Sequence, residues 1–416
     1  MKKIKKLVII VIIVLLFMPN LMAIASTNNE KLDIDAEAGI IVETNTGKII
    51  YEKEAEKQNY PASVTKILTA ILVLENCDLN ETATASSKAL SNIPSAYVVA
   101  PLYVGEEMRI EDLLYALMLK SANDAAYVLA EHVGGSNEVF AEMMNKKAEE
   151  IGCKNSHFVN PNGIHDENHY TTAYDMYLIS KYAMQNEEFV KIVSTFKYTL
   201  PKTNKYKAED RVMENTNSFV NPSSKYYNEN VKGIKTGTTT QAGNCLITSS
   251  SKNGMDFINV VLGAKTSDSK FTETEKMIEH EFENYEYVKL YNQNDIIQTI
   301  EVNKATKDTK VLNLIISDDI VPLLEKTSED EKIEPTINLK ENITAPIEQG
   351  QELGTISLNI GGIEYNAKLL ASNNVEKKTY YKEVAITALV AVILLLLGRV
   401  LTRRKIRKKK KSWHKT

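Results

Sequence analysis

The run Val64-Thr65-Lys66-Ile67-Leu68-Thr69-Ala70-Ile71-Leu72-Val73-Leu74 sets the tightest limit on what this chain can fold into. Wound at the helical period, it carries apolar side chains on nearly every face, so a helix here must be enclosed on all sides and form the centre of a domain. The spacing predicts a helix over Val64 to Glu75, entered through Tyr60-Pro61-Ala62-Ser63. Enclosing such a helix takes a long chain. At 416 residues, with 43% hydrophobic and 25% charged residues, there is enough for two domains of ordinary globular composition.

Both ends carry addresses rather than core. Lys2, Lys3, Lys5 and Lys6 precede an unbroken apolar run from Leu7 to Met18 and then Ala23-Ile24-Ala25 before Ser26, the layout of a secretory signal covering residues 1–25. An uncleaved anchor is the alternative, and either exports the body. Near the other end, Val384 to Leu401 is apolar but for Thr387, Gly398 and Arg399, and it covers roughly 27 Å of a bilayer core of about 30 Å. A transmembrane anchor over 384–401 is expected, with the basic tail 402–416 on the cytoplasmic side and the body outside the cell membrane. An interfacial amphipathic helix is disfavoured because Ile386 to Leu397 shows no polar stripe.

The formal net charge of -4 conceals this asymmetry, since the lysines at the start and the basic cluster at the end leave an acidic body. A nucleic-acid partner is therefore not expected. Cys77, Cys153 and Cys245 are an odd set in apolar or strand-like contexts, which suits small core residues better than a cysteine nucleophile.

Between the ends the pattern changes once. Over 32–281, Gly39 to Val42 and Lys48 to Glu52 flank Asn45-Thr46-Gly47 as a hairpin. Helical stretches follow at Ile110 to His132 and Asn137 to Ile151, and strand-like runs at Cys245 to Ser249 and Phe257 to Leu262 close the region. Strands at both ends with helices between imply a mixed α/β (α+β) domain: an antiparallel sheet flanked by helices, its first and last strands adjacent, with a helical subdomain inserted. Residues 285–370 turn β-rich, with runs at Ile297 to Val302, Lys310 to Ile316, Ile320 to Leu324, Thr355 to Ile360 and Glu364 to Leu369. Pro322 makes the third an edge strand at best, and Gly361-Gly362 joins the last two as a hairpin. This is a small all-β domain, followed by a polar linker over 371–383.

Three short elements carry chemistry. Ser63 stands at the first turn of the enclosed helix, where free backbone N–H groups and the dipole favour a developing oxyanion, and Lys66 falls on the same face one turn on. Burial would lower the Lys66 pKa and make it a base for the serine hydroxyl. Ser-x-x-Lys also occurs at Ser194/Lys197, Ser249/Lys252 and Ser267/Lys270, but only Ser63 heads a buried helix. Ser121-Ala122-Asn123 sits in a break within Ile110 to His132, where a hydroxyl can relay protons and an amide can bond lysine and substrate. Lys235-Thr236-Gly237 leads into Thr238; on an edge strand its lysine and hydroxyls can hold a carboxylate, while glycine lets a substrate backbone approach.

These elements, in this order, resemble the serine-type D-Ala-D-Ala carboxypeptidases, the low-molecular-mass penicillin-binding proteins. Tyr60-Pro61-Ala62-Ser63, Lys120-Ser121-Ala122-Asn123-Asp124-Ala125, Asn160-Pro161-Asn162-Gly163, Gly233-Ile234-Lys235-Thr236-Gly237 and Ala242-Gly243-Asn244-Cys245-Leu246 are similar to that family's blocks, and the β-rich stretch is similar to its C-terminal domain. The resemblance implies that Ser63 attacks the penultimate D-alanine carbonyl of a peptidoglycan peptide, Lys66 takes its proton and Ser121 passes one to the leaving D-alanine. It further implies that Asn123 orients Lys66 and the substrate amide, Lys235 and Thr236 hold the terminal carboxylate beside Gly237, and the N–H groups of Ser63 and Thr238 form the oxyanion hole. β-Lactams are then expected inhibitors, and no cofactor or metal is required.

Three alternatives stay open on sequence. A β-lactamase of the same fold would need rapid deacylation, and no Glu-x-x-Leu-Asn lies between Asn123 and Lys235. An endopeptidase or transpeptidase differs only in its acceptor, which the motifs do not distinguish. A catalytically silent wall-binding protein would not need all three elements intact. His165 and His169 are spaced like a zinc-protease pair, but the polar loop after Pro161 and Gly163 lacks that motif's glutamate at the second position and its apolar support.

Overall fold

The computed structural model describes residues 32–91, 93–326 and 333–413. The signal segment 1–25 and the last residues of the basic tail, 414–416, lie outside them. The first hairpin pairs β1 (Ala38–Glu43) with β2 (Ile49–Lys53). Its turn is built on Glu43, whose buried carboxylate accepts from the N–H of Asn45 at 2.8 Å and of Thr46 at 2.7 Å.

The enclosed segment forms a 3₁₀ turn, Ala62–Thr65, that runs into helix α1 (Lys66–Asn76). Ser63 therefore lies in the tight turn ahead of the regular helix, slightly upstream of where the period alone starts it. Ile67, Leu68, Ile71, Leu72 and Val73 are all buried; each contributes about 1.5–3 kcal/mol by leaving water. The expected break separates α2 (Ile110–Met118) from α3 (Asn123–Gly134). Next come α4 (Asn137–Ile151), α5 (Ala173–Ala183) and α6 (Glu187–Ser194). Ser136, Thr172 and Asn186 cap these last three by accepting from the N–H three residues on, a signature present in the sequence that the reading of α5 and α6 passed over.

Strands β3 (Val231–Thr239), β4 (Gly243–Lys252) and β5 (Met255–Ala264) complete an antiparallel sheet in the order β2-β1-β5-β4-β3. The first and last strands are neighbours as expected, and Lys235-Thr236-Gly237 lies on the edge strand. The period of two divides the sheet between two cores. Ile40, Val42, Ile258 and Val260 face the core around α1, whereas Ile41, Phe257 and Val261 face the opposite side. Helix α7 (Ser269–Asn284) covers that opposite side.

The β-rich region forms a second five-stranded antiparallel sheet around its own core. Its strands are β6 (Ile296–Glu301), β7 (Val311–Ile316), β8 (Thr336–Leu339), β9 (Glu352–Ile360) and β10 (Ile363–Ala371), in the order β6-β7-β10-β9-β8. The Gly361-Gly362 hairpin forms, while β8 has no counterpart among the sequence-predicted runs. The run containing Pro322 stays out of this sheet; Leu323–Glu325 pairs instead with Tyr285–Tyr287. That ladder sits against the first hairpin, where Lys48 Nζ donates to the Leu323 carbonyl at 2.8 Å and Tyr287 Oη to Glu43 at 3.0 Å.

The expected linker over 371–383 begins later. Ala371 and Val375 are buried, and Val375 exchanges main-chain hydrogen bonds with Ile347 at 2.8 and 3.0 Å, because its side chain completes the second core. Helix α8 (Tyr381–Trp413) then leaves the body. Its stretch Val384–Lys408 is long and apolar enough to cross a membrane, and none of it is buried against protein.

Candidate active site

Two of the largest fully buried side chains are lysines, Lys66 and Lys235. Burying an ammonium is costly unless it is well solvated by protein groups or gives up its proton. Lys66 Nζ lies 3.0 Å from Ser63 Oγ, 3.0 Å from Asn123 Oδ1 and 2.7 Å from the Asn162 carbonyl. Two of these partners can only accept, but the hydroxyl can also donate. A neutral Lys66 is thus fully satisfied: its two N–H bonds go to the carbonyl oxygens, and its lone pair receives the Ser63 proton. Burial first, and then the charge of Lys235, hold the Lys66 pKa well below that of an ordinary lysine, against a smaller opposing pull from Asp124.

The local backbone is held in unusual conformations. Ala62, directly before Ser63, has φ 49° and Ser121, two residues before Asn123, has φ 63°, both in the left-handed region that costs a non-glycine residue energy. Gly163 closes on this turn too: a Cβ there would collide with the Ala62 carbonyl oxygen. Thr69 fixes the same loop by donating to the Pro161 carbonyl at 2.6 Å.

Asn123 is held by the loop in front of α3. Its main-chain N–H and its Nδ2 both donate to the Val98 carbonyl at 2.9 Å, leaving Oδ1 for Lys66. Asp124 secures the same loop by accepting from the N–H groups of Ala100 and Leu102.

Strand β3 passes directly against the serine turn. A Cβ on Gly237 would stand 2.9 Å from Ser63 N and 3.0 Å from the Pro61 carbonyl, so only glycine permits this approach. Lys235 Nζ bonds the Thr236 carbonyl at 3.1 Å, and burial with the neighbouring Lys270 charge brings its pKa down to about 7. Thr236 Oγ1 lies 2.6 Å from Thr216 Oγ1. Thr238 Oγ1 donates to Asn244 Oδ1 at 3.1 Å across the β3–β4 pair.

Of the sequence-predicted residues, Ser63, Lys66 and Asn123 are joined by hydrogen bonds, and Gly237 is packed on the serine. Lys235 acts on Lys66 through its charge, with Thr236 and Thr238 beside it on the strand. Ser121 is half-buried in the break before α3, and its hydroxyl has no hydrogen bond among the described residues. Sequence reasoning assigned no part to the Asn162 carbonyl, Thr216 or Thr69. The Asn160-Pro161-Asn162-Gly163 block marks the first of them, but a main-chain carbonyl leaves no trace of its use in residue type.

Of the two histidines, His169 has both ring nitrogens engaged by protein groups. His165 and His169 lie outside any helix, and His165 packs edge-on against Tyr60 at 4.6 Å. His169 is buried, accepts from the Val159 N–H at its Nδ1 and meets Thr65 Oγ1 at 2.9 Å through Nε2, which therefore carries the proton. Burial pushes its pKa down to about 3. The three cysteines are unpaired, and burial is the main cause of the raised pKa of each thiol.

Comparison with known proteins follows the same lines. The family profile described as D-alanyl-D-alanine carboxypeptidase matches residues 24–266, and that of the penicillin-binding protein 5 C-terminal domain matches residues 285–377. The D-alanyl-D-alanine carboxypeptidase DacF of Bacillus subtilis (strain 168) is 34% identical over 373 residues, 87% of this chain and 91% of the relative. The crystal structure of penicillin binding protein 5 from Haemophilus influenzae superposes with TM-score 0.63 at 28% identity, over 83% of this chain and 98% of that one. The Streptomyces K15 DD-transpeptidase superposes with TM-score 0.56 at 29% identity, over 60% of this chain and 98% of that one. The chain, with its mixed α/β domain and its appended β domain, belongs to the D-alanyl-D-alanine carboxypeptidase family of serine peptidases.

Proposed function

We propose that the protein is a penicillin-binding carboxypeptidase that removes the terminal D-alanine from peptidoglycan peptides through an acyl-enzyme on Ser63. The single observation that carries this reading is the contact of a buried Lys66, its pKa held low by burial, with Ser63 Oγ at 3.0 Å, across from a buried Lys235. In the forward step Ser63 Oγ attacks the penultimate alanine carbonyl and its proton passes to Lys66 Nζ. The backbone N–H groups of Ser63 and Thr238 stabilise the oxyanion. As the C–N bond breaks, the leaving amine takes a proton, for which Ser121 is the relay beside Asn123. Water then attacks the ester, returns a proton to Ser63 and frees the shortened peptide. Lys235 and Thr236 hold the substrate's terminal carboxylate, which places the scissile carbonyl over Gly237 and Ser63.

A β-lactam presents a reactive amide with a carboxylate at comparable spacing, so it acylates the same serine. The likeness to a DD-transpeptidase favours testing one second reading, transfer of the acyl group to an amine instead of water. Helix α8 supports attachment of the body to a membrane through Val384–Lys408, and the basic tail supports a cytoplasmic C-terminus.

The deciding experiment is mass spectrometry of a D-Ala-D-Ala pentapeptide incubated with the protein, with and without an added amine. Loss of one alanine is expected. An intact peptide refutes the reading, and a product in which the released D-alanine is replaced by the added amine exchanges hydrolysis for transfer.

A further inference from the structure

Helices α1 and α3 pack together and start at the same place: Lys66 opens one, Asn123 opens the other, and the two side chains bond there at 3.0 Å. Their far ends meet again at the surface. Cys77 caps the C-terminus of α1, and His132 lies in the last turn of α3. Glu81, in the loop that follows α1, joins them. Among the described residues, these three side chains bring a thiol sulfur, a carboxylate oxygen and a ring nitrogen within 4.8 Å of one another. Over its 11 residues α1 spans about 16 Å, which separates the cluster from Lys66 by that distance.

Donor chemistry selects the ligand. Thiolate, imidazole and carboxylate are the donors of zinc sites, whereas magnesium and calcium take oxygen. Tetrahedral zinc sets such atoms about 3.3–3.6 Å apart, so the cluster has to close by roughly 1 Å, within reach of surface side chains. The carboxylate is already aimed. Glu81 Oε1 accepts from the Asp78 N–H at 2.7 Å, and Oε2 faces His132 Nε2 at 3.3 Å. A main-chain donor that fixes one oxygen is the usual support of a metal-bound carboxylate. The field also suits a cation: α1 and α3 both end here, each C-terminus equivalent to about half a negative charge, and Asp78 adds another negative charge beside Glu81. We propose that Cys77, Glu81 and His132 bind a zinc-class divalent cation that clasps the distal ends of α1 and α3, with water in the fourth position. On binding, the Cys77 proton passes to solvent and a sulfur–metal bond forms, so that one thiolate and one carboxylate neutralise the dication. The centre stands apart from the acyl transfer, and its test does not depend on the carboxypeptidase reading.

The test titrates the full chain, reduced and in detergent, with Co²⁺ and then with Zn²⁺. Cobalt should raise a near-ultraviolet thiolate-to-metal charge-transfer band, and added zinc should abolish it by competition. At free Zn²⁺ roughly 100 times its Kd the folding equilibrium constant should rise about 100-fold, read as a higher melting temperature. Cys77→Ser should remove the band. His132→Ala and Glu81→Gln should each weaken zinc binding by at least the roughly 10- to 100-fold that loss of a supporting partner costs, with circular dichroism showing that each variant is folded. Cys153→Ser should leave band and affinity as they are. A wild-type protein without the band, or a band that survives Cys77→Ser, overturns the site. So does a zinc affinity that neither His132→Ala nor Glu81→Gln lowers, which would reduce the cluster to a surface ion pair beside a thiol.

Discussion

Lys66 Nζ and Ser63 Oγ stand 3.0 Å apart, and the two other partners of that nitrogen are carbonyl oxygens. The arrangement leaves a single direction for the lone pair of a neutral amine, towards the hydroxyl proton. Replacing the amine by an apolar chain of similar length, Lys66→Met, should retain the fold and lower the rate of acylation by fluorescent penicillin by roughly 10²- to 10⁴-fold, the usual worth of a positioned base. Unchanged labelling would assign the base elsewhere.

In the proposed mechanism the two buried lysines need opposite protonation states, and this sets the expected pH profile. Lys66 must be neutral, so kcat/KM should rise as pH climbs through its depressed pKa. Lys235 must be charged to hold a carboxylate, so kcat/KM should fall again above its free-protein value of about 7. Bound carboxylate favours the charged form, so the alkaline limb of kcat should lie at higher pH than that of kcat/KM. Lys235→Arg, which keeps its charge throughout, should remove the alkaline limb. Persistence of that limb in the arginine variant would rule out Lys235 as its source.

Gly237→Ala probes the approach of β3 to the serine. The added carbon would lie 2.9 Å from Ser63 N, so either the strand or the serine turn must shift. Loss of one oxyanion donor typically costs about 10²-fold or more, and acylation should fall by that order while the circular-dichroism spectrum is kept and stability falls by about 1–3 kcal/mol from the forced backbone shift. Wild-type rates would show that the turn gives way at no catalytic cost.

Away from the site, Glu281 is buried between β4, β5 and α7, where its carboxyl accepts from Ser250 Oγ and from Asn259 Nδ2. Burial pushes its pKa up to about 8. The native state therefore binds one more proton than the unfolded chain from about pH 4.3 up to that value. The stability this group contributes is complete below that window and is lost as pH rises through it. Glu281→Gln cannot ionise and should flatten the decline, raising stability at pH 8 relative to wild type by on the order of a few kcal/mol. Parallel melting curves for the two proteins from pH 4 to 8 would count against this account.

The end of the second core can be found by truncation. A chain ending after Lys378 should be released from the membrane and keep its melting temperature. One ending after Leu370 also loses Ala371 and Val375, and with Val375 the main-chain bonds to Ile347, and should melt earlier by about 1–3 kcal/mol of lost burial. Equal melting of the two would place the boundary at the earlier residue.

The enclosed helix, the break before Asn123, the first hairpin and the edge strand bearing Lys235 were all legible because each depends on local periodicity or turn chemistry. Helices α5 and α6 were missed although Thr172 and Asn186 announce them, since neither has the unbroken apolar run that draws attention to α1. The linker boundary was misplaced because Val375 is one apolar residue in a polar stretch, and nothing local shows that it fills a core built from β9 and β10.

The sequence by itself determined which groups are the candidates for the chemistry: a serine and a lysine one turn apart on a helix that has to be buried, and a lysine and threonine on a strand. Tertiary structure alone decided that Lys66 rests on the Asn162 carbonyl, that Ser121 stands free of it, and that two buried lysines share one neighbourhood. The reason is physical. Helical and strand periods are set by neighbours in the chain, whereas a main-chain acceptor or a desolvated charge exists only after distant segments pack together.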